Sequence, residues 1–519
     1  MNFFSLTFIA EVAVALLVYY LMPGRYRWCV LFGANIAFYL AGGWRAGLFL
    51  LFTVGTNYVG GRLLSSLNEL KAALTPEQKK EKDQWIKTRK KLVLILDLLL
   101  NFGLLFGVKY WNFTAQAIGN ASGWQLPQLD LIMPVGLSFY MFQSVGYVVD
   151  CYRGKYKAEE NILKFSLFVS FFPQMVQGPI SRFDQLQPQL LKGNPWDGDK
   201  VKEGVQLALW GYLKRMLIAD RAAMVVNGVF DAPEKFGGFF YAFGVLFYCI
   251  QLYCDFSGGI DITRGIAKMF GIDLAENFKR PFFATSLADY WRRWHITLGS
   301  WMRDYVFYPL SFSKPFANLG RWARKHFKGK VGKVIPTAAA TFVVYLIIGI
   351  WHGANFRYIA YGFYNGIILT ASVLLAGTYS GWKKKLSIRD QSPRFRLFCI
   401  LRTTAIVFVG RYITRAPRLL VGLAMLKKTV TSPCFYQLTD GTFSSFGLSL
   451  TDYLVVAVGT VILLMIEWKQ EQGAELPKAL DRKHPFIQWI CLFAALVLLC
   501  VFGIFRGSGI QVEFIYQQF

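Results

Sequence analysis

Apolar runs close to the thickness of a bilayer recur along most of this chain, and they constrain its fold more than any other feature. A helix that crosses the hydrocarbon core needs about 20 predominantly apolar residues. The runs cover 3–22, 28–40, 46–59, 92–108, 131–149, 162–180, 205–226, 239–253, 335–352, 358–376, 397–410, 453–466 and 486–505. We therefore predict an all-α integral membrane protein, a polytopic bundle of about eleven transmembrane helices with additional re-entrant or amphipathic helices.

Composition agrees with a membrane protein, since 54% of the residues are hydrophobic and 17% are charged, with a mean hydropathy of +0.36. The net charge of +26 would suggest a nucleic-acid partner in a soluble chain. In this chain the Lys and Arg residues cluster in short segments between apolar runs, as they do in cytoplasmic loops. We therefore expect membrane lipids around the chain and exclude nucleic acid as a partner. The 8 cysteines lack the paired spacing of zinc ligands, so we predict no metal site.

The same basic segments predict how the chain is oriented in the cell (inner) membrane. We place the segments 62–91 and 279–333 in the cytoplasm. Counting spans then puts both termini outside the cytoplasm, including the tail 506–519. The segment 411–449 is an exception, because it carries several Lys and Arg residues yet falls on the outer side. Either it dips back into the membrane or one span is wrongly assigned.

No internal repeat or low-complexity linker divides the chain, so we predict one membrane domain over residues 1–519. No Lys or Arg precedes Arg25, so we expect no cleavable signal peptide at the start. The chain also lacks the G-x-S-x-G elbow, the H-E-x-x-H helix and the Walker loop, which argues against those hydrolase and nucleotide-binding classes.

Two polar and aromatic stretches interrupt the apolar pattern, and each contains one of the 4 histidines of the chain. His352 ends a long apolar run and is followed at once by Gly353 and Ala354. His295 lies in a stretch that mixes Trp, Tyr, Arg and Asp at high density. Polar side chains at lipid depth are costly unless they face a cavity or a partner, so they indicate function. We predict that the two histidines meet inside the membrane domain.

Short motifs that combine polar, aromatic, Gly and Pro residues are spread over much of the chain. They are Phe172-Pro173, Gly178-Pro179-Ile180-Ser181-Arg182-Phe183, Asp255-Phe256-Ser257-Gly258, Glu276-Asn277-Phe278, Trp291–His295, Arg303-Asp304-Tyr305 and Trp351-His352-Gly353-Ala354. This ordered set resembles the membrane-bound O-acyltransferase superfamily. It is most similar to the branch of alginate O-acetyltransferase membrane subunits, which is related to the teichoic-acid D-alanylation membrane protein. One departure is Asn365, at a position where the family usually has a histidine.

The resemblance implies that His352 is the catalytic base of an O-acyltransferase and that His295 is the second histidine of the site. A neutral imidazole, with an ordinary pKa of about 6.5, suits removal of a proton from a hydroxyl that attacks a thioester carbonyl. Asp289, Arg292 and Arg293 lie within about two turns of His295 if this stretch is helical, so we predict that they help to position it. Further residues of the site or its substrate channel are predicted to be Trp351, Asn355, Asp255, Ser257 and Asn277.

The tail 506–519 ends in the aromatic stretch Glu513–Phe519. This stretch resembles the C-terminal motif of the small membrane protein in D-alanylation systems. The resemblance implies a role for Tyr516 as a possible acyl relay, which accepts the acyl group covalently before a partner passes it on. The alternative is that these aromatic residues only anchor the tail at the membrane interface.

Together these features predict an O-acyltransferase that moves an acyl group, in the first place acetyl, from a cytoplasmic thioester across the membrane for O-acylation of a cell-surface polysaccharide. The donor would be acetyl-CoA or an acyl carrier protein, with no bound cofactor, and the segment 279–333 could hold its phosphates or acidic face. We expect an extracytoplasmic acyltransferase partner that acts on the polysaccharide. Two alternatives stay open: D-alanyl transfer to teichoic acid from a carrier protein, and a non-catalytic transporter or flippase for a lipid-linked sugar.

Overall fold

The structure is a computed structural model that describes residues 5–41, 43–131, 134, 136–175, 177–327, 329, 331–390, 392–475 and 482–505. Within these residues every regular element is helical, and the isolated β-bridge pairs Phe278 with Trp294. The all-α fold predicted from the apolar runs is therefore confirmed.

The described helices follow one another along most of the chain. The α-helices are α1 (Leu6–Leu21), α2 (Arg27–Ala41), α3 (Trp44–Ala73), α4 (Pro76–Leu105), α5 (Trp111–Ser122), α6 (Leu137–Arg153), α7 (Ile162–Ser170), α8 (Phe172–Met175), α9 (Phe183–Leu191), α10 (Gly198–Leu213), α11 (Asp220–Asp231), α12 (Gly238–Met269), α13 (Leu287–Arg293), α14 (Ile296–Met302), α15 (Tyr308–Ser311), α16 (Lys314–His326), α17 (Val331–His352), α18 (Phe356–Leu374), α19 (Ala376–Lys385), α20 (Pro393–Arg415), α21 (Leu419–Thr431), α22 (Leu450–Glu471) and α23 (Pro485–Phe502). Short 3-10 helices cover Gly24–Tyr26, Pro233–Lys235, Pro281–Phe283, Phe435–Leu438 and Thr442–Phe446. π-Helical turns cover Phe106–Tyr110, Lys214–Ala219 and Arg303–Phe307.

Several of these helices are suited to cross a membrane. Six segments of the described chain are long and apolar enough by length and composition. They are Pro76–Ser122, Gly238–Met269, Val331–His352, Pro393–Arg415, Leu450–Glu471 and Pro485–Phe502. The consecutive helices α18 and α19, bent by 60°, make a seventh if they form one span. The chain is thus a multi-pass membrane protein, whereas the predicted number of about eleven spans stays unconfirmed.

Local sequence explains where several of these helices begin. The side chain of Ser449 accepts a hydrogen bond from the backbone N–H of Asp452 at 3.3 Å, and Asp452 accepts one from the backbone N–H of Ser449 at 3.0 Å. This reciprocal pair, a capping box, satisfies backbone donors at the start of α22. At the start of α20 the Ser392 hydroxyl accepts a single cap bond from the backbone N–H of Phe395 at 3.4 Å, and Pro393 is the first helical residue.

Internal contacts divide the chain into one unit of residues 1–208 with 260–275 and a second unit of residues 209–259 with 276–519. The single domain expected over 1–519 stays a prediction.

In the first unit, α3 and α4 form a helical hairpin with polar contacts between its two helices. Asn57 Nδ2 donates to Asn101 Oδ1 at 2.8 Å. One turn away, the buried Asp97 lies against Gly60, where an added Cβ would be 2.8 Å from the carboxylate oxygen Oδ1. Glycine therefore makes the room for a carboxylate between the two helices.

In the second unit, α17 and α18 pack with their backbones in close contact. A Cβ built on Gly349 would lie 2.8 Å from the Cα atom of Gly362. Small residues allow such close approach between membrane helices, where dispersion contacts supply much of the attraction. This contact lies one turn before the end of α17 and thereby fixes the position of His352.

Candidate active site

His352 is the last residue of α17 and is half-buried. The chain turns at Gly353, where a Cβ would lie 2.5 Å from the ring of Tyr358. Asn355 then begins α18, because its Oδ1 atom accepts a hydrogen bond from the backbone N–H of Arg357 at 3.1 Å. The Trp-His-Gly-Ala-Asn sequence thus places a histidine at a tight turn between two apolar helices.

His295 lies between α13 and α14 and is buried, with 1% of its surface exposed. Its backbone is left-handed, with φ of 49°, which is strained for a residue with a side chain. The surrounding chain is held by two backbone hydrogen bonds, from Lys279 to Arg293 at 2.9 Å and from Ile296 to Asn277 at 3.0 Å. These bonds bring Asn277 beside the histidine.

Asn277 determines which nitrogen of His295 carries the proton. Its Oδ1 atom accepts hydrogen bonds from the backbone N–H and the hydroxyl of Thr297, both at 2.9 Å, and lies 3.2 Å from His295 Nδ1. Because that oxygen is an acceptor, Nδ1 donates and the lone pair lies on Nε2. Burial, reinforced by the nearby His352, lowers the pKa of His295 well below its usual 6.5. The ring is therefore a neutral imidazole at physiological pH.

The structure brings the two predicted histidines together around Trp351. The indole centroid lies 5.1 Å from the ring centroid of His352 and 6.1 Å from that of His295. Phe256 packs edge-on against His295 at 4.8 Å, and the ring of Tyr361 lies 6.4 Å from His352. A neutral imidazole in an aromatic surrounding of this kind can take a proton from a hydroxyl and return it.

Asp255 and Ser257 lie on α12 on either side of Phe256, the ring that packs against His295. Asp255 is fully buried and pairs with Arg215 Nε at 3.0 Å. Ser257 Oγ accepts a hydrogen bond from Lys214 Nζ at 2.9 Å. Both contacts join α12 to the π-helical turn after α10, so they stabilise the helix that carries Phe256.

Asp289, Arg292 and Arg293 form a charged cluster on α13. Asp289 pairs with Arg293 at 3.1 Å and with Arg292 at 3.4 Å. Arg293 also pairs with both carboxylate oxygens of Glu471, at 2.9 and 3.1 Å. These contacts join α13 to the end of α22 and fix the helix that ends two residues before His295. Glu471 was not singled out in the sequence.

Tyr290, Tyr361 and Arg411 also belong to this region, although the sequence did not single them out. The buried Arg411 donates from Nη2 to the Tyr290 hydroxyl at 2.9 Å and from Nη1 to the Tyr361 hydroxyl at 3.5 Å. Asn365 joins two elements, since Trp291 Nε1 donates to its Oδ1 at 3.2 Å and its Nδ2 donates to the Tyr361 carbonyl at 2.9 Å. The sequence signal for Arg411 was its place in a basic segment that contradicted the predicted orientation.

Tyr516 and the whole tail 506–519 lie outside the described residues, so the acyl relay stays a prediction. In the part of the chain that the structure describes, no group of three or more His, Cys, Asp or Glu side chains is arranged to hold a metal ion.

Comparison with known proteins gives a consistent set of similarities. The model of MBOAT, the membrane-bound O-acyltransferase family, matches residues 158–380, which include both histidines. The chain is 31% identical over 409 residues to the probable alginate O-acetylase AlgI of Pseudomonas syringae pv. tomato, with 78% of this chain and 70% of that protein covered.

Two further relatives carry different printed functions. The chain is 31% identical over 307 residues to the peptidoglycan O-acetyltransferase of Helicobacter pylori, covering 54% of this chain and 55% of that protein. It is 27% identical over 316 residues to the teichoic acid D-alanyltransferase of Bacillus subtilis, covering 60% and 74%. All three relatives are named as enzymes that transfer acyl groups.

Proposed function

This chain belongs to the membrane-bound O-acyltransferase family, and from that premise we propose that it moves an acetyl group from a cytoplasmic thioester across the membrane for O-acylation of a cell-surface polysaccharide. The chain is an acyltransferase, because both its family and the printed names of its relatives indicate acyl transfer. The relatives named alginate O-acetylase and peptidoglycan O-acetyltransferase support acetyl as the group and a polymer as the acceptor.

The observation that carries this proposal is the meeting of His295 and His352 beside Trp351. In the proposed reaction, His352 takes the proton of the acceptor hydroxyl as the hydroxyl oxygen attacks the thioester carbonyl. His295, neutral and with its lone pair on Nε2, provides a second uncharged imidazole in the same aromatic surrounding. A positive charge on one ring disfavours a positive charge on the other. The two histidines therefore disfavour being protonated at the same time.

The donor proposed is a coenzyme A thioester or an acyl carrier protein, approached from the basic segment 279–333. Arg280, Arg293 and Arg396 all pair with Glu471, at 2.8 to 3.1 Å. Arg293 also pairs with Asp289. Three guanidinium groups on two carboxylates leave a positive excess, which suits phosphate groups or an acidic protein face. An extracytoplasmic acyltransferase partner would complete transfer to the polysaccharide, with Tyr516 as the proposed relay.

D-Alanyl transfer to teichoic acid is the second candidate, because one relative carries that name. The two candidates differ in their donor and in the group that ends on the polymer. No observation in the described chain favours the transporter or flippase alternative.

The direct test is to express the wild type and His352→Gln in cells that lack this protein, and to measure acyl esters on surface polymers by mass spectrometry. We expect acetyl esters with the wild type and their loss with His352→Gln, because the variant has no general base. D-Alanyl esters instead of acetyl esters would favour the second candidate.

His326→Gln is the matched control for this test. His326 lies at the end of α16, exposed, and stacks on Trp322 at 4.9 Å. Acetyl ester levels should therefore equal the wild type in that variant. Wild-type levels in the His352→Gln strain, with equal protein in the membrane, would remove the proposed role of His352.

A further inference from the structure

Arg411 is a buried cation without an acidic partner in the described chain. It is 5% exposed, and its guanidinium contacts the Tyr290 hydroxyl at 2.9 Å, the Tyr361 hydroxyl at 3.5 Å and the face of Trp294, whose centroid lies at 5.3 Å. A buried charge that lacks a counter-ion is costly to fold. Such a charge is useful in an enzyme where negative charge develops nearby during the reaction.

The guanidinium makes its two phenol partners stronger hydrogen-bond donors. Each phenol oxygen accepts a hydrogen bond from Arg411 and keeps its own O–H to donate. Donation by a cation to that oxygen polarises the O–H bond. Of the two phenols, Tyr361 is the one whose ring lies next to the proposed base, with centroids 6.4 Å apart from His352.

Close packing of α17, α18 and α20 fixes the position of the Tyr361 ring. A Cβ on Gly410, the residue before Arg411, would lie 2.9 Å from Tyr361 Cε2, so glycine makes room for the ring against α20. Gly362, the residue after Tyr361, lies close to α17, and a Cβ added to it would be only 2.7 Å from the Tyr345 carbonyl oxygen. The carbonyl of Tyr361 is further held by Asn365.

We propose that the Tyr361 hydroxyl, polarised by Arg411, donates the hydrogen bond that stabilises the oxyanion formed during acyl transfer. This inference rests on the proposed acyltransferase reaction and adds a catalytic residue, Tyr361, and a positioning residue, Arg411, to it. Hydrogen-bond donors that are already in position where negative charge will develop are among the largest contributors to catalysis.

The acceptor oxygen bonds to the thioester carbonyl carbon while its proton moves to His352. The π electrons of the carbonyl move to its oxygen, which becomes the oxyanion that accepts from the Tyr361 O–H. When the intermediate collapses, the carbon–sulfur bond breaks and the thiolate takes the proton from His352. The products are an ester and a thiol, and Tyr361 keeps its proton throughout.

The test is Tyr361→Phe in the purified full-length protein, with thiol release from acetyl-CoA and ester formation as the two readouts. Phenylalanine keeps the ring packing and removes only the hydroxyl. We expect kcat to fall by about a hundredfold to a thousandfold, the usual effect of removing one oxyanion donor, with KM for the thioester unchanged. A Tyr361→Phe variant with wild-type kcat, or with only a raised KM, would overturn the inference.

Two tyrosines on the same helix serve as comparisons. Tyr364→Phe removes a hydroxyl that donates to the Ile406 carbonyl at 2.7 Å, and it should keep the wild-type kcat. Tyr358 also lies 6.4 Å from His352, and its hydroxyl accepts from Arg357 at 3.0 Å. A large loss of kcat in Tyr358→Phe but not in Tyr361→Phe would assign the oxyanion to Tyr358 and contradict the inference.

Arg411→Gln tests the positioning role. If Arg411 acts through Tyr361, Arg411→Gln combined with Tyr361→Phe should be no slower than Tyr361→Phe alone, whereas independent effects would multiply. Arg411→Lys, which keeps the charge, should restore part of the kcat that Arg411→Gln loses. Failure of the reaction itself is distinguishable: a wild type that neither releases thiol nor forms ester would overturn the proposed function, whereas an active wild type with an equally active Tyr361→Phe overturns only this inference.

Discussion

Asn277 is the residue that determines which nitrogen of His295 carries the proton. A single amide oxygen receives the imidazole Nδ1–H and both donors of Thr297. The Nδ2 atom of Asn277 has no hydrogen-bond partner among the described residues. A change from amide to carboxylate at this position would therefore add charge beside the ring without removing a hydrogen bond.

Asn277→Asp is expected to shift the pH dependence of the reaction. In the wild type, burial holds the pKa of His295 well below 6.5, so the ring stays neutral as the pH falls towards that value. A carboxylate beside Nδ1–H favours the imidazolium and raises this pKa. The acidic limb of the pH–activity profile, measured as thiol release from acetyl-CoA, should therefore move to higher pH.

Thr297→Val is the control for that shift, since it removes one donor to the same oxygen and adds no charge. Its acidic limb should stay where the wild type has it. An Asn277→Asp profile that coincides with the wild type, or moves to lower pH, would show that His295 does not determine this limb.

The motifs predicted that His295 and His352 would meet, and the structure places both beside Trp351. They did not predict which residue contacts the ring of His295. Spacing along the chain pointed to Asp289, but α13 ends at Arg293. The hydrogen-bond partner of Nδ1 comes from 18 residues earlier, through a backbone pairing that no helical period encodes.

The contact between α17 and α18 depends on glycines spaced four residues apart. Gly349 lies in the last turn of α17 and Gly353 follows its end, and Gly362 and Gly366 lie on α18. This small-xxx-small spacing allows membrane helices to approach closely. Because His352 and Tyr361 each neighbour one of these glycines, the same contact positions both side chains.

Gly349→Ala is expected to lower both stability and activity. Its new Cβ would lie 2.5 Å from the Tyr358 carbonyl and 2.8 Å from Gly362 Cα, so the helices must separate. Overpacking of this kind usually costs about 1–3 kcal/mol. Thermal unfolding of the detergent-solubilised protein should show a lower midpoint, and thiol release should fall because His352 moves away from Tyr361.

Gly377→Ala provides the matched change on α19, where an added Cβ meets no atom within 4 Å. Alanine is the better helix former, by about 1 kcal/mol, so the midpoint should stay constant or rise. Equal effects of the two substitutions would mean that helix propensity, and not the α17–α18 contact, decides the outcome.

Hydropathy predicted the apolar helices well where their surroundings are lipid or apolar side chains. The runs 335–352 and 453–466 lie within α17 and α22. Hydropathy did not predict the length of the helix at the run 239–253, because that helix continues to Met269. The residues beyond the run include Asp255, whose charge is paired with a cation on another element. Partners that lie far away in the sequence are invisible to a hydropathy window.

The lengths of α3 and α4 explain where the basic segment 62–91 lies. α3 and α4 contain 30 residues each, about 45 Å of helix, whereas a hydrocarbon core is about 30 Å thick. Their shared end carries Asp83, which pairs with Lys71 at 2.7 Å and with Lys87 at 2.5 Å. The segment expected as a cytoplasmic loop is thus the charged end of a helical hairpin.

This hairpin gives a direct test of orientation. Gln78 is exposed at the basic end of the continuous helical segment Pro76–Ser122, and Gln128 is exposed just beyond its other end. In a cysteine-free background, Gln78→Cys should react with a membrane-impermeant maleimide only in inside-out vesicles, because basic ends stay in the cytoplasm. Gln128→Cys should react only in intact cells. Labelling of both from the same side would show that Pro76–Ser122 does not cross the membrane. Labelling on opposite but exchanged sides would keep the span and contradict the cytoplasmic location expected for the segment 62–91.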